Sequence, residues 1–295
     1  MNTRNLRFRS NRVRDILSLF HEELDSMYGS GEVNAFVEML AEAYLGWTRV
    51  QLLSSRDATV DQSDLLRFHW ALEDLKRQRP IQHIIGYVDF GGCRIEVGPE
   101  VLIPRPETEE MVAALAASRT GTSGRALDLC TGSGCIAIAL KKALEEWQLT
   151  AVDLSEAALA VARRNATANH TEVDFIQADV LDKSFQPGTA HYDLIVSNPP
   201  YVRMSEKTLM QRNVLDYEPQ EALFVPDNDP MLFYRALAAL AARCLADGGQ
   251  LAVEINEALP EATAEELRRQ GFTTELHFDF RGKPRWLSAK RIPQQ

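Results

Sequence analysis

At 295 residues the chain is long enough for one large domain plus a small one. Hydrophobic residues make up 45% and charged residues 25%, an ordinary balance for a soluble globular protein, and no run of about 18 uncharged apolar residues argues for a membrane span. The net charge of −10 works against long-range attraction to nucleic acid, and the four cysteines form no CxxC pair and have no histidine at zinc-ligand spacing, which points to reduced thiols, no metal site and a cytoplasmic location.

The chain begins with its one dense basic run, "RNLRFRSNRVR", with no signal-peptide core behind it; the run reads as a solvated helix start or a frayed terminus. Val13, Ile16, Leu17, Phe20, Leu24 and Met27 then recur at helical spacing, followed by Val33, Phe36, Val37, Leu40 and Tyr44. A third face is Leu65, Phe68, His69, Leu72 and Leu75, with Pro80 as its stop. These faces predict a small helical domain over 1–80. The character changes at 81–104, where "YVDFGGCRIEV" reads as a β-hairpin across Gly-Gly and "GPEVLIPRPETEEM" as a proline-stiffened strap that turns helical at about Thr108; together they predict a linker.

From residue 105 to 295 strands and helices alternate. "RALDLC", "LTAVDL", "VDFIQAD", "YDLIVS" and "QLAVEIN" read as strands. "CIAIALKKALEEW", "EAALAVARRNATAN" with Ser155 as its cap, and "MLFYRALAALAARCLA" read as helices, with another near 260–270. "TTELHFDF" and "RWLSAKR" look like a closing antiparallel pair. Alternating βα units imply a mostly parallel, doubly wound α/β sheet.

Chemistry concentrates at the strand ends. "LDLCTGSGC" contains Cys130, Thr131, Gly132, Ser133 and Gly134, and its glycines allow a tight turn and close approach of the backbone to a ligand. Such a turn also serves plain packing. Asp153, about 20 residues on, is placed to bind ribose hydroxyls. Asp179, with Val180 beside it, is placed to reach an adenine amine. The pair indicates an adenosine ligand; T-G-S-G in place of G-x-G-x-x-G weighs against a dinucleotide, and the absence of a following lysine excludes a P-loop. After the fourth strand comes "NPPY", residues 198 to 201. Two prolines end the ladder and stiffen the turn. The side-chain carbonyl of Asn198 and the backbone carbonyl of Pro199 are two acceptors suited to both hydrogens of an NH₂ group. Pro200 and Tyr201 are read as holding a planar amide or base in place.

With these residues in view, the sequence resembles class I methyltransferases that use S-adenosylmethionine, and within them the protein-(glutamine-N5) methyltransferases of the HemK/PrmC family. The resemblance runs nearly the whole length, through "IPRPETE" at 103 to 109, "LDLCTGSGC", Asp153, "NPPY" and "YEPQEAL" at 217 to 223. It implies a seven-stranded Rossmann-like catalytic domain, S-adenosylmethionine as cofactor, and the glutamine of the Gly-Gly-Gln motif of peptide-chain release factors as methyl acceptor. It also implies a monomer, with the helical domain recognising the substrate and no direct contact with nucleic acid or membrane. A sister group acts on a ribosomal protein, and exocyclic-amine methyltransferases of nucleic acids use the same turn; "YEPQEALFVPDNDP" looks more like the release-factor group. Glu107 and Thr108 follow the strap, where the chain can fold over the cofactor, although a helix N-cap accounts equally for Thr108. Glu218 is read as a wall of the substrate slot, and Tyr217 and Phe224 as core. Two positions depart from many relatives. Cys130 replaces a glycine, and the sister group's use of cysteine there implies that no left-handed backbone is needed. Val180 stands where some relatives place an aromatic ring.

Overall fold

The structure, a computed structural model, describes residues 8–188 and 191–292. The start of the basic run and the last residues of the expected catalytic domain lie outside the described residues. The chain forms two compact units, divided between Gly86 and Tyr87.

The first unit contains α1 (Val13–Tyr28), α2 (Ser30–Leu45), α3 (Arg49–Ser54), α4 (Gln62–Lys76) and α5 (Ile81–Ile85). Its core is built from the predicted faces: Phe20, Leu24, Val33, Leu40, Leu72 and Leu75 are fully buried. Leu19 joins them, whereas Leu17 is only partly buried and Met27 is exposed. Tyr28, at the end of α1, packs on the core beside Met27 and donates its hydroxyl to the Leu75 carbonyl. The predicted helix stop also shifts. α4 ends at Lys76, Gln78 takes a left-handed backbone, and Pro80 starts α5 instead of stopping α4. Ile81 is buried with this core and Ile84 and Ile85 pack against it. The division expected at residue 80 therefore falls at 86.

The second unit opens with the hairpin β1 (Tyr87–Phe90) and β2 (Cys93–Glu96), which pair antiparallel across Gly91 and Gly92. It is no free linker. The side-chain oxygen of Asn165 accepts from the Glu96 amide at 2.7 Å and its nitrogen donates to the Glu96 carbonyl, while Asn169 does the same for Arg94. Two asparagines thus satisfy an edge strand that, among the described residues, has no further β partner on that side.

There follow α6 (Pro106–Ala117), β3 (Gly124–Leu129), α7 (Cys135–Ala143), β4 (Trp147–Asp153), α8 (Glu156–Ala168), β5 (Asp174–Gln177) and β6 (Tyr192–Ser197). The chain continues through a short parallel pair, β7 (Val202–Arg203) and β8 (Phe224–Val225), which brackets α9 (Arg212–Tyr217). It closes with α10 (Leu232–Cys244), β9 (Leu245–Glu254), α11 (Pro260–Arg269), β10 (Phe272–Phe278) and β11 (Pro284–Arg291). α7 stops four residues short of the predicted Trp147, because Lys141 turns back to donate to the Glu145 and Trp147 carbonyls and Trp147 begins β4.

Seven strands form the main sheet in the order β10-β11-β9-β6-β3-β4-β5. β3, β4, β5, β6 and β9 run parallel, and β10 and β11 close the edge antiparallel. Leu127, Leu129, Leu194, Ile195 and Val196 are fully inaccessible, as continuous apolar runs in a sheet covered on both faces should be. One face carries a core shared by the hairpin, α6, α7 and α8, the other a core shared by α10 and α11. Strand order reverses at β3, which has β4 on one side and β6 on the other. Ligands of open α/β sheets bind beyond the carboxyl ends of strands at such a switch point. Leu129 pairs with Ser197, so the glycine turn and "NPPY" leave the sheet at one level and face that crevice together.

Candidate active site

The turn after β3 is tied down from below and from the side. Thr131 Oγ1 donates to Asp128 Oδ2 at 2.5 Å, and the Ala137 amide reaches the same oxygen at 3.2 Å. Asp128 is fully buried, and burial pushes its carboxyl up to about 7, with the charge of Asp153 adding to the effect. From the side, Asp153 Oδ2 accepts from the Gly132 amide at 2.8 Å and Oδ1 from the Ser155 amide at 2.9 Å. Burial raises the Asp153 pKa, against the pull of these backbone donors. Cys130 has φ +60, which corrects the expectation that this position needs no left-handed backbone. A side chain there costs about 1–2 kcal/mol, a strain that glycine avoids. Gly134 has φ +80 and lies so close to Ala162 that a Cβ would sit 3.0 Å from the alanine methyl. It is required for helix packing and does not line the cavity described below.

Beyond β6, Asn198 Nδ2 donates to Thr108 Oγ1 at 3.2 Å. Thr108 Oγ1 donates to Glu254 Oε2 at 2.6 Å, and Tyr201 donates its hydroxyl to Glu254 Oε1 at 2.8 Å. Four side chains from α6, β9 and the "NPPY" turn thus form one chain of hydrogen bonds. Burial raises the Glu254 pKa, while the two donated hydroxyl bonds hold its charged form; burial and that carboxylate together place the Tyr201 pKa well above its ordinary value. Of the two readings open for Thr108, the N-cap fails: the residue sits inside α6, whose cap position is Arg105, and it gives its hydroxyl hydrogen to Glu254 while bordering the cavity described below.

A cavity of about 410 Å³ fills the crevice. Thr131, Gly132, Ser133 and Cys130 line it from the glycine turn; Asp153, Asp179, Val180 and Leu181 from the ends of β4 and β5; Asn198, Pro200 and Thr108 from the far side. Val101, Leu102 and Pro104 of the strap and Pro219, Glu221 and Ala222 also border it. The sequence reading therefore brings Asn198, Pro200, Cys130, Thr131, Gly132, Ser133, Asp153, Asp179 and Val180 to one cavity. Pro199 and Tyr201 do not line it: Tyr201, expected to present its ring, packs against the α10 side of the core and turns its hydroxyl to Glu254. Glu218, expected as a wall of the slot, is buried instead in an ion pair with Arg105 at 2.6 Å and accepts from the Ile103 amide at 3.0 Å. Glu107 lies 3.7 Å from Arg285, away from the cavity, and Tyr217 and Phe224 are half-buried, not core. Glu254 was missed. Its one signal was its place at the carboxyl end of a predicted strand beside the switch point.

Among the described residues, four carboxylates, Glu100, Asp153, Asp179 and Glu221, line the cavity, and no lysine or arginine does. A pyrophosphate would be repelled by this wall, whereas a cationic nucleoside would be attracted. Ser133 Oγ, buried at the cavity, has no hydrogen-bond partner among the described residues and is available to a polar ligand. The residues fit an adenosyl group carrying a positive charge.

Fold and site define a class I methyltransferase, an enzyme. A methyltransferase small domain matches residues 106–217 and a PrmC N-terminal domain matches residues 16–86. A methyltransferase of known structure from Pyrococcus furiosus covers 68% of this chain and 90% of its own, with TM-score 0.50 and 21% identity, a likeness of fold. The release factor glutamine methyltransferase of Flavobacterium psychrophilum is 40% identical over 94% of this chain and 98% of its own length. That of Bacteroides thetaiotaomicron is 39% identical over 94% and 99%. The chain belongs to the family of release factor glutamine methyltransferases.

Proposed function

We propose that this enzyme moves the methyl group of S-adenosylmethionine to the side-chain nitrogen of the glutamine in the Gly-Gly-Gln motif of peptide-chain release factors, in the cytoplasm and as a monomer, with the helical unit recognising the protein substrate. The observation that carries the reading is Asn198: its NH₂ is anchored on Thr108, so its oxygen is left to accept from a ligand in a cavity walled by carboxylates.

When bound, S-adenosylmethionine supplies an electrophilic methyl group on a sulfonium. Asp153 would hold its ribose, Asp179 and Val180 its adenine, and Gly132 and Ser133 its amino-acid end. A glutamine nitrogen is a poor nucleophile, because its lone pair is delocalised into the carbonyl. Asn198 Oδ1 accepts one hydrogen of that nitrogen at the cavity, and the carbonyl of Pro199, the next residue of the turn although not itself a lining residue, would accept the other, so that the lone pair is aimed at the methyl carbon. Orientation of this kind is worth ~7–11 kcal/mol in favourable cases. As the nitrogen becomes positive, both acceptors bind its hydrogens more strongly, so the gain is largest in the transition state. The product cation then gives up a proton to water, and no base in the site is needed. The Pro199 and Pro200 rings keep the acceptors from moving.

The test is transfer from methyl-labelled S-adenosylmethionine to purified release factor, ribosomal protein and tRNA side by side, followed by mass mapping. Label on the release-factor glutamine supports the reading. Label confined to ribosomal protein or tRNA, or to none of the three, contradicts it.

A further inference from the structure

Asn198 does its work only if its amide faces one way. With the oxygen toward the cavity it accepts; flipped, it presents a donor to a donor, and the site repels the group it should hold. Carbonyl and NH₂ ends are alike in size, so packing does not choose between them. Something chemical must, and the hydrogen bonds of Thr108 supply it.

We propose that Glu254 is a positioning residue for the reaction, one that fixes the Asn198 amide through Thr108. A threonine hydroxyl has one hydrogen to give and can accept in return. Thr108 gives its hydrogen to Glu254 Oε2 at 2.6 Å. It therefore meets Asn198 only as an acceptor, and the Asn198 group facing it, 3.2 Å away, must be the NH₂. The second carboxylate oxygen takes the Tyr201 hydroxyl at 2.8 Å, which pins the far end of the same four-residue turn. Glu254 is 3% exposed and Thr108 1%, so water does not substitute for either partner. One buried carboxylate thus sets the polarity of one end of "NPPY" and the position of the other. Glu254 lies on β9 and Thr108 in the first turn of α6, neither of them in the glycine turn nor in "NPPY" itself.

The proposal rests on the reading that Asn198 accepts from a glutamine amide. The test separates the two. Single-turnover methyl transfer to release factor, the Michaelis constants and the cofactor dissociation constant are measured for Glu254→Gln, Thr108→Val and Thr108→Ser, each made also together with Asn198→Ala. Glutamine offers one acceptor where glutamate offers two, and valine keeps the shape of threonine without its hydroxyl. The expected result is a fall in transfer rate of about tenfold for Glu254→Gln and for Thr108→Val, the loss of one hydrogen bond's worth of orientation. Serine should recover most of the loss seen with valine, and cofactor affinity should change less than about threefold. In the Asn198→Ala background the same substitutions should slow transfer no further, because they act through an amide that is already gone. Equal fold losses in both backgrounds would mean a general structural role and overturn the proposal, as would full activity of both variants. Should Glu254→Gln fail to fold, the Thr108 pair alone carries the same decision. A wild-type chain that transfers no methyl group to a glutamine overturns the functional reading, and this proposal with it, whatever the variants do.

Discussion

Asp128 lies beneath the glycine turn with one oxygen hydrogen-bonded twice and the other buried without a partner among the described residues. Burial lifts its carboxyl from an ordinary 3.8 to about 7. Across that window the folded chain binds a proton that the unfolded chain has lost. This contribution to stability is fully present below pH 3.8 and disappears as the pH rises through about 7. Asp128→Asn, which matches the protonated acid in shape, removes the dependence. Denaturant melts of both chains at pH 5 and pH 8 should show the variant gaining on wild type toward pH 8, by up to about 1.4 kcal/mol per pH unit; parallel stabilities would contradict the assignment. At this scale the sequence was legible where a residue type admits few uses. Asn198, Asp153 and Asp179 sat at strand ends, and the topology brought them to the cavity. It was less legible where a side chain had a choice of partner. Tyr201 looked like a face for a substrate and became a donor to Glu254, because a buried hydroxyl needs an acceptor and that carboxylate was the one at hand. Cys130 was misread because relatives carrying cysteine suggested a relaxed backbone, whereas the turn holds it at φ +60.

Two of the segments that border the cavity are a strap and a loop, marked in the sequence by their prolines and by the motifs "IPRPETE" and "YEPQEAL". Val101, Leu102 and Pro104 border the cavity on one side and Pro219, Glu221 and Ala222 on another. Arg105 at the end of the strap and Glu218 at the start of the loop join them through a 2.6 Å ion pair whose carboxylate is buried and whose guanidinium is one-third exposed. Removing either partner is costly, since it leaves a buried charge or a buried amide without its mate. Arg105→Met and Glu218→Gln should each weaken cofactor binding by about tenfold, and the double variant should lose less than the product of the two. Titration of the cofactor into the three variants measures this, and unchanged dissociation constants would show that the strap stands without the clamp. The regular elements were legible from period alone: continuous apolar runs became the parallel strands, and apolar faces at helical spacing became α1, α2 and α4. The short helices α3, α5 and α9 and the two-residue strands β7 and β8 were not. Pieces that short carry less than two turns or two ladder bonds, and their neighbours, not their own sequence, decide their conformation.

At the scale of the whole molecule the two units differ in what their described residues form. The helical unit has its own core, and among the described residues those that line the cavity belong to the second unit. The net charge of −10 has a local counterpart in the four carboxylates of the cavity, which favours a cationic cofactor over a polyphosphate. Fold class followed from the βα alternation, and the cavity from the rule that strand ends at a switch point hold ligands; the boundary at 86 needed the packing of α5 to be seen. Everything chemical then converges on one amide. The most direct measurement is the single-turnover rate of methyl transfer to the release-factor glutamine by Asn198→Ala, taken together with its dissociation constant for S-adenosylmethionine. Orientation by acceptors, without a base, predicts a rate at least about 100-fold below wild type with cofactor affinity within about threefold. A rate close to that of wild type would contradict it.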